Sequence, residues 1–231
     1  MNNHKNDKGD TIIFDLDGTL FQTETVAVPA FYRMYQRLED QGMYWGSPPA
    51  KSRIESVFGM IAPDIWEQLL PGASEEVKQA ADEGWLQEEL SCLSEGLGAL
   101  YPGVSRGLRE LKRREWRLFI ASNGLGPYVR GVVETFGLTP LFTGIYSAGE
   151  YQIGDKAELV KRLMQENEVS SACMVGDRSS DIRAGQKNGL FTIGCCYADF
   201  PRFSTGGELE GADAVIDAFD RFPDLVGNPR L

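Results

Sequence analysis

The stretch IIFDLDGTLFQ, residues 12–22, runs from three apolar residues straight into Asp15 and Asp17, then Gly18 and Thr19. Residues i and i+2 of a strand project to the same side, so both acids aim at one volume just past the end of a buried strand. DLDGT on its own reads as a turn, because Asp and Gly favour turns. The rest of the chain decides between a turn and a site.

Short β-branched runs bounded by turn residues recur at TIIFD (11–15), RLFIAS (117–122), ACMVGD (172–177), LFTIG (190–194) and DAVI (213–216). Helical spacing occupies 127–136, 156–166 and 179–188 between them. Strands alternating with helices at this spacing indicate an α/β fold, a parallel sheet covered by helices on both faces. The first two strands stand about a hundred residues apart, far more than one crossover needs. Within that interval, 24–40, 63–70 and 75–95 carry helical periodicity, and Ser74 before Glu75 and Glu76 suits an N-cap with acids in the first turn. A small helical domain is therefore expected between GTLFQ and GLGALYPG (96–103).

Composition narrows the chemistry. Hydrophobic residues make up 42% and charged residues 25% of 231, so a compact soluble core is expected. A net charge of -11 repels polyanions, so no nucleic-acid partner is expected. The one basic run, RGLRELKRREWR (106–117), sets its charges around Leu108 and Leu111 at helical spacing and reads as a solvated helix face rather than a phosphate-binding patch. There is no apolar leader and no long apolar stretch, which points to a cytoplasmic location and no membrane partner. Cys92, Cys173, Cys195 and Cys196 lack metal-ligand spacing and read as reduced, mostly buried thiols. The single histidine, His4, sits in a polar tail, residues 1–10. Histidine-based nucleophile pairs and zinc sites thus have no residue to use, and the chemistry falls to carboxylates, hydroxyls, lysine and a hard metal.

The fourth strand also ends in an acid, Asp177, and Asp181 follows in the first turn of the next helix. Open parallel sheets bind ligands at this carboxyl edge, where Asp15, Asp17, Asp177 and Asp181 would converge. At about 5 Å and an effective dielectric near 20, each like-charged pair costs roughly 3 kcal/mol, so the cluster needs a cation. All-oxygen ligands suit Mg²⁺, which shares its sites with phosphate oxygens. Ser122 and Asn123, just before Gly124, offer a hydroxyl and backbone N–H groups to a phosphate, and Lys156 adds a positive charge.

This ordered set resembles the haloacid dehalogenase-like hydrolase superfamily. DLDGTL (15–20) resembles its first motif, Ser122 in IASNG its second, Lys156 its third and GDRSSD (176–181) its fourth, over residues 11 to about 195. The resemblance implies a Rossmann-like core, residues 11–21 and 99–231, with a helical cap inserted at 22–98. SRIESVFGM (52–60) and GDKAELVKRLM (154–164) look like the phosphoglycolate phosphatase-like branch. In that family's mechanism Asp15 would be the nucleophile and Asp17 the acid and base. Asp15 and Asp177 would ligate Mg²⁺ by side chain and Asp17 by its main-chain carbonyl. Ser122, Asn123 and Lys156 would hold the phosphoryl group, with Asp181 supporting from behind. Asp17 also argues against the dehalogenase branch, where no alcohol needs a proton. Many relatives carry an acid where Gln22 stands, and Gln22 reads as a helix-start residue.

The expected activity is a Mg²⁺-dependent phosphatase for a small phosphorylated metabolite: phosphoglycolate, a nucleotide or a sugar phosphate. A sugar phosphomutase and a non-catalytic phosphate sensor are the alternatives. MYWGSPPAKSR (43–53) could form a lid loop or pack the cap's own core, and Arg53 could meet an acidic substrate group. A monomer or small homo-oligomer is expected.

Overall fold

The computed structural model describes residues 10–60, 62–197 and 207–228. His4 and the tail through residue 9 lie outside these. Six strands are present among the described residues: β1 (Thr11–Phe14), β2 (Arg117–Ser122), β3 (Gly144–Ser147), β4 (Ala172–Gly176), β5 (Phe191–Cys195) and β6 (Ala214–Ile216). They form one parallel sheet in the order β3-β2-β1-β4-β5-β6. The chain steps outward from β1 to β3 on one side, returns to β4 and steps outward to β6. The direction of winding therefore reverses between β1 and β4, and such reversals open a crevice at the carboxyl edge. Phe14 pairs with both Ile120 and Val175, which brings the ends of β1, β2 and β4 to that crevice together.

The central strands are buried on both faces, as their unbroken apolar sequences require. Ile13, Phe119 and Met174 face Leu159, Val160 and Leu163 of α8 (Lys156–Glu166). Ile12, Phe14, Ile120 and Val175 face the opposite way, toward α5 (Val104–Arg113), α6 (Gly126–Thr135) and α10 (Phe222–Val226). Phe14 touches two aromatic rings there, Phe219 at 6.0 Å and Phe222 at 5.4 Å between centroids.

Between β1 and α5 lie four helices: α1 (Glu24–Asp40), α2 (Lys51–Glu55), α3 (Ala62–Leu69) and α4 (Glu75–Ser94). Their apolar residues, including Phe31, Met34, Trp66 and Trp85, join the second sheet face in one continuous cluster. Trp85 stacks edge-on against Phe31 at 5.6 Å and Trp66 at 5.5 Å. Ser74 caps α4 by accepting a hydrogen bond from Val77 N at 3.3 Å, as its place before two acids suggests.

Three features depart from the sequence reading. Strand β3, GIYS, was not anticipated: it is short, lies at the sheet edge and starts with a glycine, so its β signal is weak. The five-residue α2 is likewise too short to show periodicity. The basic run is divided: α5 ends at Arg113, Glu115 takes a left-handed φ of 67°, and Arg117 opens β2. Its charges are paired at the surface, Arg113 and Arg114 with Glu110 and Arg106 with Asp220. No helix among the described residues is long and apolar enough to cross a membrane.

Between β4 and β5 runs α9 (Ser179–Lys187), which carries Asp181 in its first turn; the four-residue α7 (Ala148–Tyr151) follows β3. Truncating Phe14 should test the shared core. Phe14→Ala is expected to lower unfolding stability by about 3–5 kcal/mol in urea titrations, the usual range for deleting a buried ring. A loss below about 1 kcal/mol would mean that the cluster collapses around the gap.

Candidate active site

β1 stops at Phe14, yet the next residue is held to the sheet, since Asp15 N donates to Val175 O at 2.8 Å. The chain then folds into a tight loop in which Leu20 N and Phe21 N donate back to Leu16 O and Gly18 N to Phe21 O. Gly18 has φ +76°, and a Cβ there would stand 2.2 Å from Asp177 Oδ2. Only glycine allows both the turn and this approach. The loop delivers Thr19 Oγ1 to Asp177 Oδ1, at 3.2 Å. At the end of β4, Gly176 plays a similar part, because a Cβ would fall 2.2 Å from Asp181 Cγ.

Asp15, Asp177 and Asp181 are buried and offer carboxylate oxygens within 4.8 Å of one another. Lys156, at the start of α8 and 5% exposed, places Nζ 2.5 Å from Asp15 Oδ1 and 2.5 Å from Asp181 Oδ1. Asp181 Oδ2 also accepts from Arg178 N at 3.0 Å. Burial opposes the charge on Lys156, but the two carboxylates outweigh it and hold its pKa above the ordinary lysine value. One lysine cannot neutralise three acids. Burial, helped by Asp181 and Asp17 and opposed by Lys156, raises Asp15 to about 7. Asp177 is pushed well above the usual carboxylate range, by burial first and then by Asp15 and Asp181. An uncompensated group of oxygen donors of this kind fits a hard divalent cation.

Asp17 is turned elsewhere. Strand alternation ends with Phe14, so the expected convergence of all four carboxylates does not occur. Asp17 Oδ1 instead accepts from Tyr128 OH at 2.7 Å and Thr23 Oγ1 at 2.8 Å. Burial raises its pKa and outweighs these two hydrogen bonds, so it can keep a proton. Ser122, 1% exposed at the end of β2, accepts from Gly124 N at 3.0 Å. Asn123 follows it. Asp15, Asp17, Ser122, Asn123 and Lys156 all line one cavity of about 130 Å³.

The inserted segment closes the other side of that cavity with Val57, Phe58 and Gly59 from the turn after α2 and with Trp85 and Glu89 from α4. Asn123 Nδ2 donates to Gly59 O at 3.2 Å, and Arg178 Nη1 donates to Phe58 O, so residues 57–60 are latched to the sheet edge from two loops. Gln22 Nε2 donates to Leu100 O at 2.8 Å, and Gln22 N to Ala99 O at 2.8 Å. The helix begins after it, so Gln22 ties together the two segments by which the chain enters and leaves the inserted helices. Residues 43–53 stay clear of the cavity. Tyr44 packs on Tyr35, Trp45 is 75% exposed, and Arg53 donates to Gln68 O at 3.0 Å. Arg53 is therefore not placed to meet a substrate.

Thr23, Tyr128, Arg178 and Glu89 were missed by sequence reasoning. Tyr128 and Glu89 fall inside helical patterns that look like packing, and Arg178 lies within GDRSSD beside acids that draw the attention.

A family model described as haloacid dehalogenase-like hydrolase matches residues 12–195. The chain belongs to the haloacid dehalogenase-like hydrolase family. Within that family, it is 25% identical to the probable phosphatase IndB of Dickeya dadantii, over 94% of this chain and 91% of the relative. It is 25% identical to a phosphoglycolate phosphatase of Cupriavidus necator, over 95% and 94%. Its fold matches CbbY from Rhodobacter sphaeroides, solved in complex with phosphate, with a TM-score of 0.76 at 22% identity over 92% of this chain and 96% of that one.

The raised Asp15 gives this hydrolase a pH signature. Without a divalent cation, its stabilising proton is fully bound below the unfolded carboxylate pKa of about 4 and is lost as pH rises through the folded value of about 7. Added Mg²⁺ is expected to raise the melting temperature by several degrees at pH 8 and by much less at pH 5, because protons then compete for the same oxygens. Equal shifts at the two pH values would place the ion elsewhere.

Proposed function

We propose that this hydrolase is a Mg²⁺-dependent phosphatase acting on a small phosphorylated metabolite through an aspartyl-phosphate on Asp15. The observation that carries the reading is the division of labour between two carboxylates lining one cavity. Asp15 is paired with Lys156 Nζ at 2.5 Å, while Asp17 is held apart from it by Tyr128 and Thr23.

An Asp15 oxygen attacks phosphorus, and a bond forms between them as the ester P–O bond breaks. Asp17 gives its proton to the departing alkoxide, which its raised pKa allows. Water then attacks phosphorus, Asp17 recovers a proton from it, and inorganic phosphate leaves with Asp15 restored. Lys156, the Ser122 hydroxyl and the backbone at Asn123 offset negative charge on the phosphoryl oxygens. Asp15, Asp177 and the main-chain carbonyl of Asp17 would hold Mg²⁺, which when bound supplies the positive charge that lets a phosphate enter among acids. Asp181 acts on Lys156 and the 178–181 turn instead of on the substrate. The helices of residues 22–98 serve as a cap over the sheet edge formed by 11–21 and 99–231. Residues 57–60 exclude water from the closed cavity.

Phosphate release from a panel of monophosphates, with Mg²⁺ or with chelator, tests this. Asp15→Asn should abolish Mg²⁺-dependent release, by about 10³-fold or more. Retained turnover would remove Asp15 as the nucleophile. Asp17→Asn should slow hydrolysis of alkyl phosphates by about 10²–10⁴-fold. It should slow p-nitrophenyl phosphate far less, because nitrophenolate leaves without a proton. The comparison is made in kcat/KM, which ends at departure of the alcohol and leaves out the shared hydrolysis step, and equal losses there would show that Asp17 is not the acid.

A further inference from the structure

The two walls of the cavity differ in charge: the sheet edge sets Lys156 and Arg178 beside Asp15 and Asp17, whereas the inserted segment brings acids without a cation among the described residues. The cavity's only cations among the described lining residues are Lys156 and Arg178, and both belong to the sheet edge, at the phosphoryl end. Arg178 is engaged at the seam, with Phe58 O and Glu208. The inserted segment contributes apolar and aromatic side chains, Phe58 and Trp85 among them, together with two acids from α4, Asp82 and Glu89. Among the described residues, no lysine or arginine of the inserted segment lines the space.

Glu89 is the informative residue. Its carboxyl group has no hydrogen bond or ion pair among the described residues, although it lies in a partly buried position facing the cavity. Burial, and then Asp17 and Asp82, push its pKa well above the usual carboxylate range. Tyr128 feels the charges of both Asp17 and Glu89, which puts Glu89 beside the acid that serves the leaving oxygen. One oxygen of Asp82 accepts from Trp66 Nε1 at 3.0 Å. Trp85 is fixed in place by donating from Nε1 to Ala27 O at 2.9 Å, so an aromatic surface stands in the same wall.

On the phosphatase reading given above, we propose that Glu89 sets the substrate class: a phosphate monoester of a small amino alcohol, whose ammonium group is received by Glu89 and Asp82 beside Trp85. An ammonium supplies the counter-charge that Glu89 lacks, and an aromatic wall favours a cation over a neutral group. A carboxylate or a second phosphate in the alcohol would instead find no cation on this wall among the described residues, so such esters are disfavoured. The cavity thus disfavours phosphoglycolate, although relatives that share a quarter of the sequence bear that name.

Three esters of nearly equal size separate the possibilities: phosphoethanolamine, 2-hydroxyethyl phosphate and phosphoglycolate, with p-nitrophenyl phosphate as a general phosphatase probe. Wild-type kcat/KM is expected to be about tenfold higher for phosphoethanolamine than for 2-hydroxyethyl phosphate, the scale of one hydrogen-bonded charge pair, with phosphoglycolate lowest. Glu89→Gln should bring the first two toward equality, and because the reading is a ratio within each protein, a general loss of activity cancels. A wild-type ratio at or below one, phosphoglycolate as the best of the three, or a ratio that Glu89→Gln leaves unchanged would each overturn the assignment while leaving the phosphatase intact. Hydrolysis of none of the four would overturn the phosphatase reading itself, and the substrate class with it.

Discussion

Burying three carboxylates within one small volume is the constraint around which this molecule is organised. Asp15, Asp177 and Asp181 come from two adjacent strand ends and one helix start, and they meet because β1 and β4 pair directly. Like charges in a poorly solvated place raise one another's pKa and weaken the fold unless something answers them. Lys156 answers in part, from a third segment, and its two ion pairs link α8 to the carboxyl edge of the sheet. The glycines at 18 and 176 are consequences of the same crowding, since a methyl group at either position would overlap a carboxylate.

The partial neutralisation gives the site its chemistry. Three acids answered by one lysine leave negative charge that favours a cation among the oxygens and opposes an anion entering without one. Here the remaining negative charge is covered by residues 57–60, latched by Asn123 and Arg178. The inserted helices are not held by those latches alone. Their aromatic core continues into one face of the sheet without a break, so the inserted helices and the sheet share packing energy as well as hydrogen bonds. Gln22 and Leu100 join the two segments by which the chain enters and leaves the inserted helices.

Charge also distinguishes the two walls of the cavity. The sheet edge sets Asp15 and Asp17 beside Lys156 and Arg178, whereas the charged residues that the inserted segment brings, among those described, are the acids Asp82 and Glu89. Relatives named for phosphoglycolate share a quarter of their sequence with this chain, and a shared fold does not by itself carry a substrate, because function lives in the particular side chains of the site.

Much of the architecture was legible in the sequence because its signals are local. Apolar runs ending in Asp15, Ser122 and Asp177 mark three strand ends, and the long gap after DLDGTLFQ marks an insertion. Strand β3 was not legible, since four residues at a sheet edge carry little pattern. The sequence by itself determined the strand ends, the helical insertion and the residue types available for chemistry, because these follow from short-range periodicity and from the near absence of histidine. Only the tertiary structure decided that Asp17 turns to Tyr128 and Thr23, that Arg53 points away to Gln68, and that Glu89 faces the cavity with no partner among the described residues. Those facts depend on contacts between residues 6, 15 and 111 positions apart, and on β1 stopping at Phe14, where the strand alternation that a sequence reading must assume no longer holds.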